Sequence, residues 1–212
     1  MTATVDVLRR RLNGTNPVDE WGLDADLVAV ARPVLGLRWS VDVRGAGAVP
    51  ADGPVLLVAN RRFGLSEPFV VALGLLSATG RHVRPLGVPD VAPAGPMLRR
   101  LGGVLDRPDE LAGLLRAGEV ALAFAGRLSR PRHRAGPVHP ATVATALATG
   151  APVVPVAVSG REAGRRWRVR VGAAVPVPSG RGPLAAVELA EATRRAVQEL
   201  LDEASPPGPF SR

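Results

Sequence analysis

Three short runs in this chain are apolar at almost every position: 54–58, 119–125 and 152–158. A strand that is apolar on both faces must be covered on both, and helical crossovers are what cover a parallel sheet. Helical spacing appears between and around these runs. It covers 24–37, with Asp24 as N-cap and Pro33 as an expected kink or break, and then 69–77 and 108–117, the latter ending at Gly118. It returns over 142–149, stopped by Gly150, and over 184–203. Further strands are expected at 38–44, 83–88 and 102–105, with a short helix at 96–101. Over 166–171 the alternation is strict, with Trp167, Val169 and Val171 on one face and arginines on the other. Strands alternating with helices mean α/β: a single domain with a largely parallel or mixed sheet flanked by helices.

A chain of 212 residues, 46% of them hydrophobic, can bury one sizeable core. The expected division is an N-terminal helical segment at 1–45, the α/β domain at 46–204 and a proline-rich tail at 205–212. Within the first segment, Val5, Leu8 and Leu12 combine with Arg9, Arg10 and Arg11 in a short basic amphipathic turn that presents little apolar area. No run approaches the roughly 20 apolar residues of a membrane span. The N-terminus has no long apolar stretch of the secretory kind. The expected location is cytoplasmic, at most peripheral on the inner face of the cell membrane.

The chain has no cysteine, which excludes disulfides and thiolate chemistry, and its three histidines (His82, His133, His139) are not spaced as metal pairs. No metal and no cofactor is expected. All 27 basic residues are arginine, and against 19 acidic ones they leave a net charge of +8. That excess suits phosphate-rich partners: an anionic membrane surface, a phosphorylated lipid, coenzyme A or nucleic acid. Nucleic acid ranks last, because aromatic residues are only 3% of the chain and no recognisable nucleic-acid module is present.

Four blocks carry a more specific signal. The first is Val58-Ala59-Asn60-Arg61-Arg62-Phe63-Gly64-Leu65-Ser66-Glu67-Pro68, set between a strand and a helix. The second is Leu101-Gly102-Gly103-Val104-Leu105-Asp106-Arg107 and the third Phe124-Ala125-Gly126-Arg127-Leu128-Ser129-Arg130. The fourth is Ala151-Pro152-Val153-Val154-Pro155-Val156-Ala157-Val158-Ser159-Gly160. In order and wording they resemble the lysophosphatidate acyltransferases, within the glycerolipid (phospholipid–glycerol) acyltransferase family, over roughly residues 19–178. The segment Asp19-Glu20-Trp21-Gly22-Leu23-Asp24 resembles the start of some bacterial members.

The resemblance implies an acyltransferase fold and a place in glycerolipid and phospholipid metabolism. It also implies acyl-CoA or acyl-ACP and a lysophospholipid, or another anionic lipid, as partners. It implies that Asn-His-x-x-x-x-Asp belongs in the first block, where this chain has Arg61 at the histidine position and Ser66 at the aspartate position. The third block has Ala125 and no glutamate where the family reads Phe-Pro-Glu-Gly-Thr-Arg-Ser. A histidine base removes the acceptor hydroxyl's proton, and a carboxylate holds the imidazolium that forms. An arginine stays protonated at physiological pH and cannot take that role.

The expected protein is therefore a divergent member with a degenerate catalytic motif, weakly active or a pseudoenzyme. Asn60, Arg61, Arg107, Arg127 and Arg130 are its expected substrate contacts. The alternatives are an active divergent acyltransferase using Glu67 with His82 or His139, and a basic nucleic-acid-binding protein.

Overall fold

The computed structural model describes residues 18–61, 66–92, 94–126, 134–180 and 182–204. The 5–12 turn, the 205–212 tail and the side chains of Arg62, Arg127, Arg130 and Arg132 lie outside the described residues. In chain order the described elements are α1 (Ala25–Arg38), β1 (Ser40–Arg44), a 3-10 turn (Ala46–Ala48), β2 (Val55–Asn60), α2 (Glu67–Thr79), β3 (Val83–Pro85) and α3 (Ala94–Arg100). They continue with α4 (Pro108–Arg116), β4 (Val120–Ala125), α5 (Pro140–Thr149), β5 (Val153–Gly160), β6 (Arg166–Val171) and α6 (Pro183–Ala204).

The strands form one sheet in the order β1-β6-β5-β2-β4-β3. The three apolar runs are its neighbouring centre: β2 pairs parallel with β5 on one side and with β4 on the other. Both faces of these strands are filled. Leu56, Val58, Ala121, Ala123 and Val153 pack under α4, α5 and α6, through Leu111, Leu114, Val143 and Leu189. The intervening Val55, Leu57, Val120, Leu122, Val154 and Val156 pack under α2, through Val70, Val71 and Leu75. Burying a single Val or Leu side chain contributes about 1.5–3 kcal/mol, so this double cover is what holds the sheet together. β6 runs antiparallel to β5 and parallel to β1, which makes the sheet mixed.

Asp24 caps α1 as expected, its carboxylate accepting from the Leu27 N–H at 2.7 Å. α1 runs unbroken through Pro33. Ala29, four residues earlier, is on the exposed side, so water can satisfy the carbonyl that proline leaves without a donor. The strand expected at 102–105 reduces to one bridge between Val104 and Leu86, since Gly102 turns the chain at φ 96°. β1 falls within the 1–45 segment, yet it is an edge strand of the same sheet, paired along its length with β6.

The entering segment is tied to β3 by an ion cluster. Arg84, 1% exposed, donates to the carboxylate of Asp19 and, at 3.3 Å, to that of Glu119. Asp19 also accepts from the N–H groups of Trp21 and Leu23 at 3.0 and 2.8 Å. Burial alone would raise the Asp19 pKa. The hydrogen bond and charge of Arg84, with the two backbone N–H groups, outweigh it and hold the carboxyl below its ordinary value.

Candidate functional site

β2 and β4 end level with one another, Asn60 opposite Ala125, and β2 lies between the strand before it in space (β5) and the one after it (β4). A chain that returns on both sides of one strand leaves a crevice at the carboxyl ends of its strands. A cavity of about 860 Å³ opens there. Its apolar wall comes from Leu86, Leu111, Phe124 and Val138, and its polar groups from Arg61, Asp106, Arg107, His139, Thr142 and Thr145.

Each side chain is placed by the element it leaves. Arg61 follows the last residue of β2, half-buried, its guanidinium 5.0 Å from the centre of the Phe124 ring. That contact holds a cation over an aromatic face, and both residues line the crevice. Arg107 sits at the N-cap of α4, exposed and 3.8 Å from the Asp90 carboxylate. The turn before it is braced by Glu110, which accepts from the Leu105 N–H at 3.0 Å and from Arg99. Gly126, at φ 82°, lets the chain leave β4, and a Cβ there would come within 3.1 Å of Gly136. The returning chain therefore crosses the end of β4 in close contact and delivers 137–139 to the crevice.

Asn60, the last residue of β2, is turned into the sheet. It is 1% exposed, and its carboxamide is used across the sheet. It accepts from the Val158 N–H at 2.7 Å and donates to the Val158 carbonyl at 3.1 Å. The side chain extends the β2–β5 pairing past its last backbone pair, Ala59 with Val156. Replacing Asn60 by alanine is expected to cost roughly 2–4 kcal/mol, because two buried backbone groups lose their partner. Chemical denaturation measures this, and unchanged stability would return Asn60 to the substrate contacts.

Ser66 precedes α2 and is held by a carboxylate from a distant part of the chain. Its hydroxyl donates to Glu162 Oε1 at 2.6 Å, and its N–H donates to the same oxygen at 3.0 Å. Glu162 lies in the β5–β6 turn, which Arg38 braces through the carbonyls of Glu162 and Gly164 at 2.9 Å each. Sequence reading missed Glu162, and no motif marks it.

The two histidines separate. His82 precedes β3, whose first residue is level with Val120 and hence with Val55. At about 3.3 Å per residue, that puts His82 roughly 20 Å down the sheet from Asn60, at the opposite end from the crevice. Burial, then the charge of Arg84, lowers its pKa. Glu67 is 1% exposed in the first turn of α2, and neither it nor His82 lines the crevice. His139 does line it. It caps α5, with Nδ1 accepting from the Ala141 N–H at 3.3 Å. In that cap the neutral ring carries its proton on Nε2, which makes the second nitrogen a hydrogen-bond donor.

No helix among the described residues is long and apolar enough to cross a membrane. No family model matches the chain. Uncharacterized proteins of Mycobacterium bovis and Mycobacterium tuberculosis are 31% identical to it over 182 residues, which is 76% of this chain and 50% of each relative. The chain thus spans about half the length of the curated relatives it matches. Among solved structures, the crystal structure of the 1-acyl-sn-glycerophosphate (LPA) acyltransferase PlsC from Thermotoga maritima superposes with a TM-score of 0.60 at 21% identity. The match covers 83% of this chain and 81% of that one, and at such identity it is a likeness of fold.

Proposed function

We propose, for a chain with the fold of a PlsC acyltransferase, that the crevice binds an anionic acyl lipid, a lysophospholipid phosphate above all, and transfers acyl groups poorly or not at all. The observation that carries this reading is the pairing of Arg61 and Arg107 with an apolar wall in one cavity of about 860 Å³ at the ends of β2 and β4. Guanidinium groups suit phosphate oxygens, and the apolar wall suits the start of an acyl chain. Acyl-CoA or acyl-ACP is the donor such a site would face.

Poor transfer follows from the groups at the dyad positions. Arg61 offers no base, and Ser66 has its hydroxyl donated to Glu162. His139 offers Nε2–H, which can bind an oxygen and cannot accept its proton. Losing a general base costs a factor of about 10²–10⁴ in rate.

The test has two arms on purified wild-type protein: lysophosphatidate binding by calorimetry, and acyl-CoA thioester consumption with and without acceptor. Binding with little turnover is expected, and Arg61→Ala with Arg107→Ala should weaken binding by about a hundredfold through lost charge-assisted hydrogen bonds. Robust turnover abolished by His139→Ala would overturn this reading and give the base role to His139.

A further inference from the structure

Among the described residues, the outer face of the β1–β6 edge is a strip of arginines, with Arg166 and Arg168 exposed and Arg170 half-buried. Alternation along β6 sends Trp167, Val169 and Val171 into the core beneath α2 and leaves Arg166, Arg168 and Arg170 on the opposite face. Parallel pairing sets Ser40, Asp42 and Arg44 of β1 level with them, all exposed. On this side α6 covers β5, where Val197 and Leu201 pack on Ala157, and its Glu203 lies 4.0 Å from Arg170. Arg44 lies 3.4 Å from Asp42. Among the described residues, Arg166 and Arg168 have no carboxylate within ion-pair distance.

The strip leads to the candidate site. Because β6 is antiparallel to β5, Arg166 stands at the carboxyl end of β5, the end at which the crevice opens. The turn joining them exposes Arg161 and Arg165, and its Glu162 is the residue that holds Ser66. Sheet faces are ordinarily buried by a second layer. A face that carries cations at alternate positions instead is matched to an anionic surface rather than to another apolar layer.

We infer that this strip docks the protein on an anionic phospholipid bilayer and holds the crevice mouth at the membrane. The inference rests on the reading of the crevice as a lipid site. A bilayer fits better than nucleic acid for two reasons. The face is part of the central sheet rather than a helix or ribbon that could enter a groove, and its only aromatic neighbour on β6, Trp167, is turned into the core.

The test is co-sedimentation with vesicles of phosphatidylglycerol and phosphatidylcholine. Each arginine near an anionic surface contributes about a fivefold gain in binding. The variant Arg166→Ser, Arg168→Ser, Arg170→Ser should therefore bind roughly a hundredfold more weakly than wild type. A variant with the same charge loss elsewhere (Arg32→Ser, Arg100→Ser, Arg116→Ser) should stay within about fivefold. Wild-type binding should fall with added salt, since exposed charges are screened beyond about 8 Å at physiological ionic strength.

Equal loss in both variants, or none in the strip variant, would overturn the proposal. So would a strip variant that loses duplex DNA binding while keeping its vesicle binding. Lysophosphatidate binding below micelle formation separates this inference from the reading of the crevice. The strip variant should retain it, whereas a wild type unable to bind it would sink the crevice reading and leave the vesicle comparison to decide the strip.

Discussion

Replacing Arg61 with histidine and Ser66 with aspartate is expected to raise acyl-thioester consumption by only about tenfold, against the 10²–10⁴ a well-placed general base contributes. Adding Glu162→Gln is expected to raise it further, to about a hundredfold over wild type. The reason lies in the hydrogen bond from Ser66 to Glu162 Oε1 at 2.6 Å. An aspartate at 66 would put a second carboxylate beside the first, and two like charges at that range cannot both stay ionised without moving apart. An aspartate pushed away from the histidine, or protonated, no longer orients the imidazole. Glutamine at 162 keeps an acceptor for the backbone N–H of residue 66 and removes the repulsion. The measurement is initial-rate thioester consumption with lysophosphatidate for the double and triple variants. If Glu162→Gln brings no gain over the double variant, Glu162 does not obstruct a carboxylate at 66.

The second large effect concerns stability. Removing both partners of Arg84 (Asp19→Ala with Glu119→Ala) is expected to cost about 3–5 kcal/mol, because it leaves a fully buried guanidinium uncompensated. Arg84→Met should cost far less. It removes the buried charge and fills the space, while Asp19 and Glu119, each about one-third exposed, can turn to water. Arg84 Nη1 already has no hydrogen-bond partner among the described residues, so methionine also removes an unsatisfied group. Urea denaturation of both variants decides between this account and one in which Arg84 itself supplies the stability.

The same cluster sets an acid response. His82 has a pKa below its ordinary 6.5, so the stability of its neutral form is complete above that value and is lost as pH falls through the lowered one. Asp19 is lowered as well. Its contribution is present above its ordinary value of 3.8 and goes as pH falls through the folded-state value. His82→Gln should abolish the first of these losses and leave the second, as read from the midpoint of thermal unfolding across pH 3–8.

Local patterning made most of the elements legible. Runs apolar on both faces marked β2, β4 and β5, and strict alternation marked β6, because side-chain direction along a strand depends only on sequence position. The cap at Asp24 and the stop at Gly150 were readable for the same reason. The strand expected at 102–105 was misjudged because its apolar residues follow two glycines that turn the chain before a ladder can form. Which end of the sheet carries the crevice was also legible, since a parallel sheet opens at its carboxyl ends.

What the sequence determined by itself was therefore the α/β class, the order of the elements, and the presence of Arg61 after the strand 55–60 and Ser66 before the helix that follows. Those are properties of neighbouring residues. The tertiary structure alone decided which side chains meet. Asn60 is spent on Val158, Glu162 reaches Ser66, His82 is carried to the far end of the sheet, and His139 is brought to the crevice. The arginines of β6 share one face with the outward residues of β1 only because β1 lines up beside them. In each case the partners lie far apart along the chain. Their contact depends on strand order and register, which local periodicity does not encode.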